Sequence, residues 1–385
     1  MVANSTNAPL VVDLDGTLTP TDTLVESIVK VVKQSPLNLV RVPFWLMRGR
    51  AGFKEVISTH ASISGEHLPY RASLLDYLHE EKKKGRKIVL ATAAHHSIAH
   101  NVANHLGLFD KVLATQAGHN LKGKEKLQAI QEHVGQCFVY AGDCQADVPI
   151  WKAAKAAVLV DVAENTAQAV RRDVRVEREF PGESGGLGVW IKALRVHQWL
   201  KNLLLFVPLL TAFSFLDLGK VATMVVAFMA FSLAASATYI VNDLWDLESD
   251  RAHPRKRLRP FASARLPILN GLVVAAGALL LALLLAFSVS KAFLLMLLLY
   301  LVLTSAYSWV LKEYVLIDVL MLSLLYTLRI LAGSVAIGIA TSSWLLAFSV
   351  FVFLSLALVK RCAELVTLAE NGKAKIGRAS CRERV

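Results

Sequence analysis

The sequence predicts a chain in two parts, an N-terminal α/β domain with a helical cap and a C-terminal all-α bundle of membrane-spanning helices. In the first part, short apolar stretches that end in polar residues alternate with helical patterns, which is typical of a parallel sheet. Later, apolar runs of about 20 residues recur, each long enough to cross a bilayer. The hydrophobic content of 55% and the mean hydropathy of +0.47 agree with a membrane protein. We expect a soluble domain at residues 1–180, a linker at 181–190 and a membrane domain at 191–374.

Charge and cysteine content exclude two classes of protein. The net charge of +12 comes from basic residues that crowd around the apolar runs without interleaved aromatic residues, so it indicates membrane loops and not nucleic-acid binding. The four cysteines lack a metal-binding spacing, which predicts neither disulfides nor zinc. No signal peptide precedes the first charged strand, so we expect the N-terminal domain to face the cytoplasm and the bundle to lie in a bacterial cytoplasmic membrane.

The first apolar strand, at residues 10–12, runs directly into two carboxylates. Asp13 and Asp15 would point to opposite sides of a strand, so Gly16 must let the chain turn and bring both to one pocket. Two close carboxylates beside Mg2+ can divide the roles of nucleophile and acid or base. Later strands deliver further polar residues to the same edge of the sheet. These residues are Thr92, after the strand at 87–91, and Asp143 and Asp147, after the strand in QCFVYAGD.

Together with the basic loop in LKGKEKL, these pieces resemble the haloacid dehalogenase superfamily of phosphotransferases over residues 8–165. The resemblance implies a Rossmann-like fold with a helical cap. It implies that Asp13 attacks phosphorus, while Asp15 protonates the leaving group and then activates water. It also implies a Mg2+ site on the carboxylates of Asp13, Asp15, Asp143 and Asp147.

The same resemblance implies that Thr92 and a lysine hold the phosphoryl oxygens. Lys126 is our choice because it lies at the start of a predicted helix, with Lys124 and Lys122 as rivals. The alternative for Thr92 is that it merely ends its strand.

The membrane part contains six predicted spans. The basic residues lie mainly between the second and third spans and beyond the fourth and sixth, which puts those ends on the cytoplasmic side. The predicted spans are residues 198–216, 222–242, 267–289, 292–311, 314–340 and 343–360.

The stretch at residues 239–265 combines carboxylates with a dense basic loop. If the preceding helix continues, Asp243, Asp246 and Asp250 share one face. Carboxylates at a helix C-terminus oppose the macrodipole, so a cation should compensate them, and Mg2+ suits such ligands beside phosphates. The alternative is a solvated juxtamembrane loop, which explains the basic residues but not the carboxylates. The basic residues that can hold a polyanion are Arg251, Arg255, Lys256, Arg257 and Arg259.

The stretch NDLWDLESD fits the N-D-x-x-D-x-x-x-D signature of the UbiA family of intramembrane prenyltransferases, and the resemblance covers residues 190–374. It implies that Mg2+ holds a polyprenyl diphosphate at four residues. Members of the family have nine spans, so we expect a truncated bundle. The four residues are Asn242, Asp243, Asp246 and Asp250.

The first predicted span opens with LRVHQWLKN. A helix would place Arg195, Gln198 and Asn202 on one face, with Lys201 beside it. The resemblance favours substrate binding by Lys201 and Asn202, and the alternative is an interfacial anchor made by Trp199 and Lys201.

The fifth predicted span carries Asp318 near its cytoplasmic end and Arg329 deeper in the membrane. An arginine at that depth indicates a functional site, and the alternative is structural pairing with a carboxylate. Tyr307 and Lys312 precede them in YSWVLK. Many UbiA enzymes carry a second D-x-x-x-D motif here, but Leu322 stands at its second position.

Within the family, these motifs most resemble decaprenyl-phosphate phosphoribosyltransferases. The resemblance implies transfer of 5-phosphoribose from phosphoribosyl diphosphate to a polyprenyl phosphate, with Mg2+ on the aspartates and with Lys256 and Arg259 neutralising charge. The phosphatase would then remove the 5-phosphate of the product. The alternatives are a UbiA-type prenyltransferase that acts on an aromatic or lipid acceptor, and a non-catalytic lipid-binding or transport protein.

The last eleven residues, 375–385, have the sequence KIGRASCRERV. Their composition differs from that of the preceding chain and resembles adapter-derived sequence, so we expect an artefactual tail.

Overall fold

The computed structural model describes residues 8–47, 49–61, 63–116, 120–182, 185–311 and 314–370. It divides into two compact units, the first formed by Met1–Val189 and Leu244–Leu269 and the second by Trp190–Asp243 and Asn270–Val385. The segment Leu244–Leu269 therefore packs with the α/β part of the chain. Lys312 and the tail predicted at 375–385 lie outside the described residues.

The first unit contains a six-stranded parallel sheet in the order β3-β2-β1-β4-β5-β6, which confirms the predicted α/β class. The central strands are apolar because helices cover both faces of the sheet, whereas the edge strand at residues 176–180 carries three exposed charged residues. Leu10 and Val12 face one core layer and Val11 faces the other, as alternation along a strand requires. The strands are Leu10–Val12 (β1), Ile88–His95 (β2), Lys111–Thr115 (β3), Val139–Gly142 (β4), Ala156–Val160 (β5) and Val176–Phe180 (β6).

Eight helices accompany these strands. The first three lie between β1 and β2 and form the predicted helical cap, with a small core of their own around Val31, Phe53 and Ile57. Asp22 caps the first of them by accepting hydrogen bonds from the backbone of Leu24 and Val25. The helices are Thr23–Gln34 (α1), Asn38–Leu46 (α2), Gly49–His60 (α3), Ala72–Lys83 (α4), His96–Leu106 (α5), Lys124–His133 (α6), Val148–Ala153 (α7) and Glu164–Asp173 (α8).

The remaining chain is helical. Among the described residues, five helices are long and apolar enough to cross a membrane, namely α11, α13, α14, α15 and α16 as bounded below, and the chain is a multi-pass membrane protein. The helices are Leu187–Ala193 (α9), Val207–Thr211 (α10), Leu218–Trp245 (α11), Leu247–Ala252 (α12), Ile268–Val289 (α13), Lys291–Trp309 (α14), Val315–Ile337 (α15) and Ser343–Glu370 (α16).

The prediction that the first of six spans lies at residues 198–216 is wrong, since no described helix there is long enough to cross a membrane. Val196–Phe206 forms a 3-10 helix, and the short α10 follows it as a separate element. Pro208 lies in the first turn of α10, where its missing N–H breaks no helical hydrogen bond, whereas a continuous helix would lose one there.

The core of the second unit is built from aromatic and small residues. Phe231 lies with its ring centroid 5.6 Å from that of Phe293 and 5.0 Å from that of Tyr300. At Gly333 in α15, a Cβ atom would lie 2.0 Å from the carbonyl oxygen of Leu205 in the 3-10 helix. Glycine therefore permits a close backbone approach, as small residues do where membrane helices pack.

The unbroken helix through the aspartate motif does not form, which corrects the conditional prediction made for residues 243–250. The helix α11 ends at Trp245, Asp246 has φ −94° and ψ 12°, and α12 begins at Leu247. The first turn of α12 contains Glu248 and Asp250, and negative charge at a helix N-terminus is favourable. Because a new helix begins at Leu247, Glu248 and Asp250 lie at a helix N-terminus, where the helix dipole favours carboxylates, and not at a helix C-terminus, where it opposes them.

Candidate active sites

The strand β1 ends where the first two candidate carboxylates begin. Gly16 has a φ of +77°, in the left-handed region, and a Cβ atom on it would lie 2.2 Å from Oδ2 of Asp143. This turn lets Asp13 and Asp15 line one cavity. The backbone N–H of Thr23 donates to Oδ1 of Asp15 at 2.9 Å. The chain therefore turns at Gly16, and no other residue fits there without strain.

Lys126 is the lysine beside Asp13. Its Nζ lies 2.6 Å from Oδ2 of Asp13 and 3.8 Å from Oδ1 of Asp147. Burial lowers the pKa of Lys126, but the two carboxylates more than reverse this effect, so the ammonium group stays charged. The rival lysines, Lys122 and Lys124, are exposed.

The strand β4 delivers two further carboxylates to the same edge of the sheet. Asp143 accepts a hydrogen bond from Oγ1 of Thr17 at 3.0 Å, and Asp147 accepts one from the hydroxyl of Tyr140 at 2.9 Å. Tyr140 also lies within 3.1 Å of Nζ of Lys126. Tyr140 was not predicted as a site residue, because a tyrosine inside an apolar strand is typical of a core residue.

This cluster has the donor set that Mg2+ prefers. Burial and neighbouring carboxylates raise the pKa of Asp143 to about 7, and burial together with Asp22 raises that of Asp15 to about 7. Oxygen atoms of Asp143 and Asp147 lie within 4.8 Å of each other. One lysine does not balance this negative charge, so a hard divalent cation bound by carboxylate oxygens fits the site.

Cys144 shares this cluster but is not a suitable ligand for Mg2+. Its Sγ lies 3.5 Å from Oδ2 of Asp147. Burial and the adjacent carboxylates raise the pKa of the Cys144 thiol to about 12, so it is neutral near pH 7. Mg2+ selects oxygen ligands, which leaves the aspartates as the ligands in this group.

The strand β2 extends beyond its predicted end at Thr92 and reaches His95, with a shift of register between these residues. Oγ1 of Thr92 accepts a hydrogen bond from the backbone N–H of Ala94 at 3.0 Å, and the side chain is fully buried. Lys54 of the cap donates from Nζ to the carbonyl oxygen of Ala93 at 2.6 Å. Lys54 thus brings a second amine to the cavity, which the sequence analysis missed, and burial lowers its pKa.

Two cavities open on these carboxylates. The first has a volume of about 520 Å³ and is bounded by the cap, with Lys54 and Lys126 in its wall. The second has a volume of about 260 Å³. Three acidic residues line both cavities: Asp15, Asp22 and Asp143. The second cavity is otherwise lined by Gly16, Pro20, Thr21, Val25, Phe261, Ala264, Leu266, Pro267, Ile268 and Leu269.

Arg251 anchors the segment that forms one wall of the second cavity. Its guanidinium donates to both carboxylate oxygens of Glu26, at 2.6 and 2.8 Å, and to the carbonyl oxygen of Ala262 at 3.0 Å. The side chains of Arg251 and Glu26 are 6% and 7% exposed. Lys30 pairs with Glu248 at 2.6 Å. Arg251 was predicted to bind a polyanion, but in the structure it already has Glu26 as a carboxylate partner.

The N-terminal half of the aspartate motif lies in the second unit. Asp243 is buried, and its Oδ1 lies 2.5 Å from Nη2 of Arg195. Arg195 has a φ of +52° and stacks over the ring of Tyr239 at 4.8 Å. Asn242 donates from Nδ2 to Oγ of Ser308 at 3.1 Å. Arg195 is thus a further residue of this site, although the motif spacing gave no reason to pair it with Asp243.

The C-terminal half of the motif lies in the first unit. Asp250 is buried and accepts a hydrogen bond from Nη1 of Arg259 at 2.6 Å. Asp246 is half-buried, and Lys256 is exposed in the 3-10 helix Lys256–Leu258.

The 3-10 helix Val196–Phe206 presents a different face from the predicted one. With three residues per turn, Trp199 and Asn202 align, and they donate to Ser236 at 2.9 Å and Ser232 at 3.0 Å. Lys201 is exposed, with its Nζ 5.9 Å from the centre of the Tyr326 ring. The predicted α-helical grouping of Arg195, Gln198 and Asn202 is therefore wrong.

Arg329 is buried in the second unit. It donates to Oδ1 of Asn202 at 2.9 Å, to the hydroxyl of Tyr300 at 3.1 Å and to the carbonyl oxygen of Leu325 at 2.6 Å. Its guanidinium also lies 4.9 Å from the ring centre of Tyr300 and 5.5 Å from that of Tyr326. Within the described chain these contacts are with neutral groups, so the predicted alternative of a carboxylate partner does not apply to them.

Asp318 instead has a cationic partner. It is fully buried, accepts a hydrogen bond from the hydroxyl of Tyr307 at 2.7 Å and forms an ion pair with Arg361 of α16. Arg361 also pairs with Glu364. Arg361 was not predicted as a site residue, because no local spacing links two residues on different helices.

Comparison with known proteins gives two family matches. The UbiA prenyltransferase family matches residues 203–376, and the haloacid dehalogenase-like hydrolases match residues 10–152. The protein y4nM of Sinorhizobium fredii is 42% identical over 95% of this chain and 71% of its own length.

The decaprenyl-phosphate phosphoribosyltransferase of Mycolicibacterium smegmatis is 40% identical over 195 residues, which are 48% of this chain and 59% of that protein. The chain therefore spans less than two thirds of the length of that relative. A solved UbiA homolog from Archaeoglobus fulgidus bound to DMAPP and Mg2+ is 19% identical, with a TM-score of 0.40 over 48% of this chain and 66% of that chain.

Proposed function

The chain belongs to the UbiA prenyltransferase family through its C-terminal region, which is fused to a haloacid dehalogenase-like hydrolase domain, and we propose that it transfers 5-phosphoribose from phosphoribosyl diphosphate to a polyprenyl phosphate. The observation that carries this proposal is the 40% identity, over 48% of the chain, with a decaprenyl-phosphate phosphoribosyltransferase. The motif NDLWDLESD and the incomplete second aspartate motif at Asp318 and Leu322 support it, since aromatic prenylation is associated with a complete second motif.

The aspartate motif supplies the proposed diphosphate site. Asn242, Asp243, Asp246 and Asp250 would hold Mg2+, which when bound neutralises the diphosphate leaving group. Arg195 pairs with Asp243, and Arg259 pairs with Asp250. Each guanidinium could donate hydrogen bonds to phosphate oxygens once Mg2+ holds its aspartate. The exposed Lys256 can add positive charge to the same polyanion.

Most of the remaining proposed substrate residues lie on the 3-10 helix, α14 and α15, and Lys312 is outside the described residues. Arg329 is a buried guanidinium whose hydrogen-bond partners in the described chain are neutral, which suits an anionic group of the acceptor or donor. The others are Lys201, Asn202, Tyr307, Lys312 and Asp318.

For the α/β unit we propose hydrolysis of a phosphate monoester. An oxygen of Asp13 attacks phosphorus, the bond from phosphorus to the ester oxygen breaks, and Asp15 gives that oxygen its proton. Asp15 then takes a proton from a water that attacks the aspartyl phosphate, which releases inorganic phosphate and restores Asp13.

The other site residues of this unit hold charge in place. Lys126, at 2.6 Å from Asp13, and Thr92 would hold the phosphoryl oxygens. Asp13, Asp15, Asp143 and Asp147 would hold Mg2+, which when bound reduces repulsion between the carboxylates and the phosphoryl group.

The two activities form a sequence in this proposal. Transfer yields a polyprenyl phosphoribose that still carries a 5-phosphate, and the hydrolase removes that phosphate. Both sites then face the cytoplasm at a bacterial inner membrane, as the distribution of Lys and Arg among the loops supports. The match of y4nM along 95% of the chain, through both regions, supports a functional link between them.

The test uses membranes that contain the full-length protein, Mg2+, phosphoribosyl diphosphate labelled in the ribose, and a polyprenyl phosphate. We expect label to enter the lipid phase and Asp243→Asn to reduce that label by at least about 100-fold, because the diphosphate loses a charged ligand. Asp217→Asn, at an exposed aspartate remote in sequence from the motif, is the matched control and should retain transfer.

Two results would contradict the proposal. Prenyl transfer to an aromatic or lipid acceptor in the same membranes, without ribose label in lipid, would indicate a UbiA-type prenyltransferase with another acceptor. Absence of any Mg2+-dependent turnover would favour a lipid-binding or transport protein.

A further inference from the structure

The carboxylates of the α/β unit lie between two cavities of different chemistry. The first cavity offers polar and cationic groups, including Lys54, Lys122 and Lys126, beside Asp13. The second touches Asp15, Asp22 and Asp143 but is otherwise mainly apolar. A phosphoryl group bound at Asp13 would therefore meet the amines of the first cavity, while the second offers little to an anion.

The apolar wall of the second cavity comes from a segment outside the hydrolase match. The hydrolase family matches residues 10–152, whereas the wall consists of residues 261–269. Phe261, Leu266 and Ile268 are buried there, and Val25 of the cap helix α1 contributes from the opposite element. The wall formed by residues 261–269 is therefore not part of the region that resembles haloacid dehalogenase-like hydrolases.

Three interactions hold the wall in position. Arg251 binds the carbonyl oxygen of Ala262 at 3.0 Å and Glu26 of α1 at 2.6 and 2.8 Å, so it ties the segment to the cap. Oγ of Ser263 donates to the carbonyl oxygen of Arg259 at 2.9 Å, which closes the preceding turn. The buried ion pair between Arg251 and Glu26 therefore makes the wall a fixed feature of the unit.

We propose that the second cavity binds the hydrophobic part of the alcohol whose phosphate monoester this unit hydrolyses, and that residues 261–269 determine this specificity. The alcohol must reach Asp15, which protonates the leaving oxygen, and Asp15 lines this cavity. The substrate class is therefore an amphiphilic phosphate monoester. This inference rests on the proposed hydrolase function and extends it, because it assigns a site for the apolar part of the substrate.

The test measures kcat/KM of the full-length protein for two series of substrates with Mg2+. One series is n-alkyl phosphates from methyl to hexyl, below their critical micelle concentrations, and the other is ribose 5-phosphate and its 1-O-hexyl glycoside. Burial of each methylene favours the longer substrate by about fourfold. We expect at least about a tenfold advantage of hexyl over methyl phosphate, since two buried methylenes suffice for it.

Two adjacent residues of α1 provide matched variants. Val25 lines the second cavity and Leu24 lines the first, and both are half-buried. Val25→Trp should fill the second cavity and reduce the ratio of hexyl to methyl activity to about one, because the added methylenes are no longer buried. Leu24→Trp should retain the ratio, whatever it does to the absolute rates.

A second variant keeps the inference testable if Val25→Trp fails to fold. Ala264→Leu enlarges a side chain on the opposite wall and should lower the same ratio. Phosphate release from methyl phosphate shows that each variant is folded. A ratio near one in the unmodified protein overturns the inference, and so does a ratio lowered by Leu24→Trp but not by Val25→Trp or Ala264→Leu.

The result also separates this inference from the proposed function. Hydrolysis of no monoester overturns both. A chain-length advantage for alkyl phosphates, with both ribose substrates inert, supports the cavity assignment and contradicts the proposed ribose 5-phosphate substrate.

Discussion

The acidic clusters of the two catalytic regions balance their charge differently. In the α/β unit, Asp13, Asp143 and Asp147 line one cavity together with the amines of Lys54 and Lys126. In the region matched by the UbiA family, buried aspartates each have an arginine instead. The pairs are Asp243 with Arg195, Asp250 with Arg259, and Asp318 with Arg361.

The acidic cluster of the α/β unit therefore needs a metal cation to balance its charge, whereas each buried aspartate of the other region already has the positive charge of an arginine beside it. Burial and repulsion from neighbouring carboxylates raise the pKa of Asp143 to about 7, and a divalent cation relieves that repulsion. An arginine beside an aspartate stabilises the carboxylate without a metal and can turn to an incoming phosphate. We therefore expect Mg2+ alone to bind the hydrolase site and Mg2+ to bind the aspartate motif together with diphosphate.

The largest expected effect separates the two activities. Asp13→Asn removes the proposed nucleophile, so release of inorganic phosphate should fall by at least about 1,000-fold. Transfer of label to lipid should persist, because the aspartate motif is intact. Phosphate assay and lipid extraction of the same membranes measure both. Unchanged phosphate release would exclude Asp13 as the nucleophile, and loss of both activities would contradict their chemical independence.

The second expected effect tests an arginine pair. Asp318→Asn replaces the buried carboxylate that pairs with Arg361 and accepts from Tyr307 by a neutral amide. It should lower the free energy of unfolding by about 2 kcal/mol, because hydrogen bonds to a charged group become hydrogen bonds to a neutral one. Unfolding in detergent with increasing SDS measures the change. Asp217→Asn, in an exposed pair with Lys220, is the control and should not shift the transition. Equal shifts in both variants would show that burial of Asp318 does not determine the stability of its pair.

The smallest expected effect concerns the turn that assembles the carboxylates. Gly16→Ala and Gly85→Ala share the strain of a positive φ, at +77° and +79°, which costs about 1–2 kcal/mol each. Only at Gly16 does the added Cβ meet Asp143, so hydrolysis should fall by at least about tenfold there and be retained in Gly85→Ala. Phosphate release and denaturant unfolding measure the two effects. Equal hydrolysis by both variants would show that Asp143 can move without loss.

Local sequence patterns predicted the α/β unit well because its site lies at strand ends. The turn at Gly16 and the sheet edge that collects Asp13 and Asp143 follow from strand geometry alone. The choice of Lys126 depended on a resemblance, and the structure places its ammonium group on Asp13. Tyr140 and Lys54 were missed because a core tyrosine and a cap lysine have no distinctive spacing.

Prediction was weaker where distant segments meet. The prediction of the first span was wrong because hydropathy does not reveal the 3-10 helix before Pro208. The aspartate spacing assumed one helix, whereas the chain restarts after Asp246. Arg251 was predicted to bind phosphate, but in the fold it binds Glu26, which is 225 residues away in the sequence. Such pairs depend on tertiary packing, which the order of residues along the chain does not show.

The close approach at Gly333 has a consequence for the timing of synthesis. The backbone of the 3-10 helix at Leu205 is made before its partner in α15, which follows about 130 residues later. At about 5–20 residues per second, the ribosome needs roughly 6–26 seconds to make that interval. During this time the 3-10 helix has no α15 to pack against. A nascent chain arrested before α15 should therefore expose Leu205 to crosslinking or proteolysis, and one arrested after Gly333 has left the ribosome should protect it.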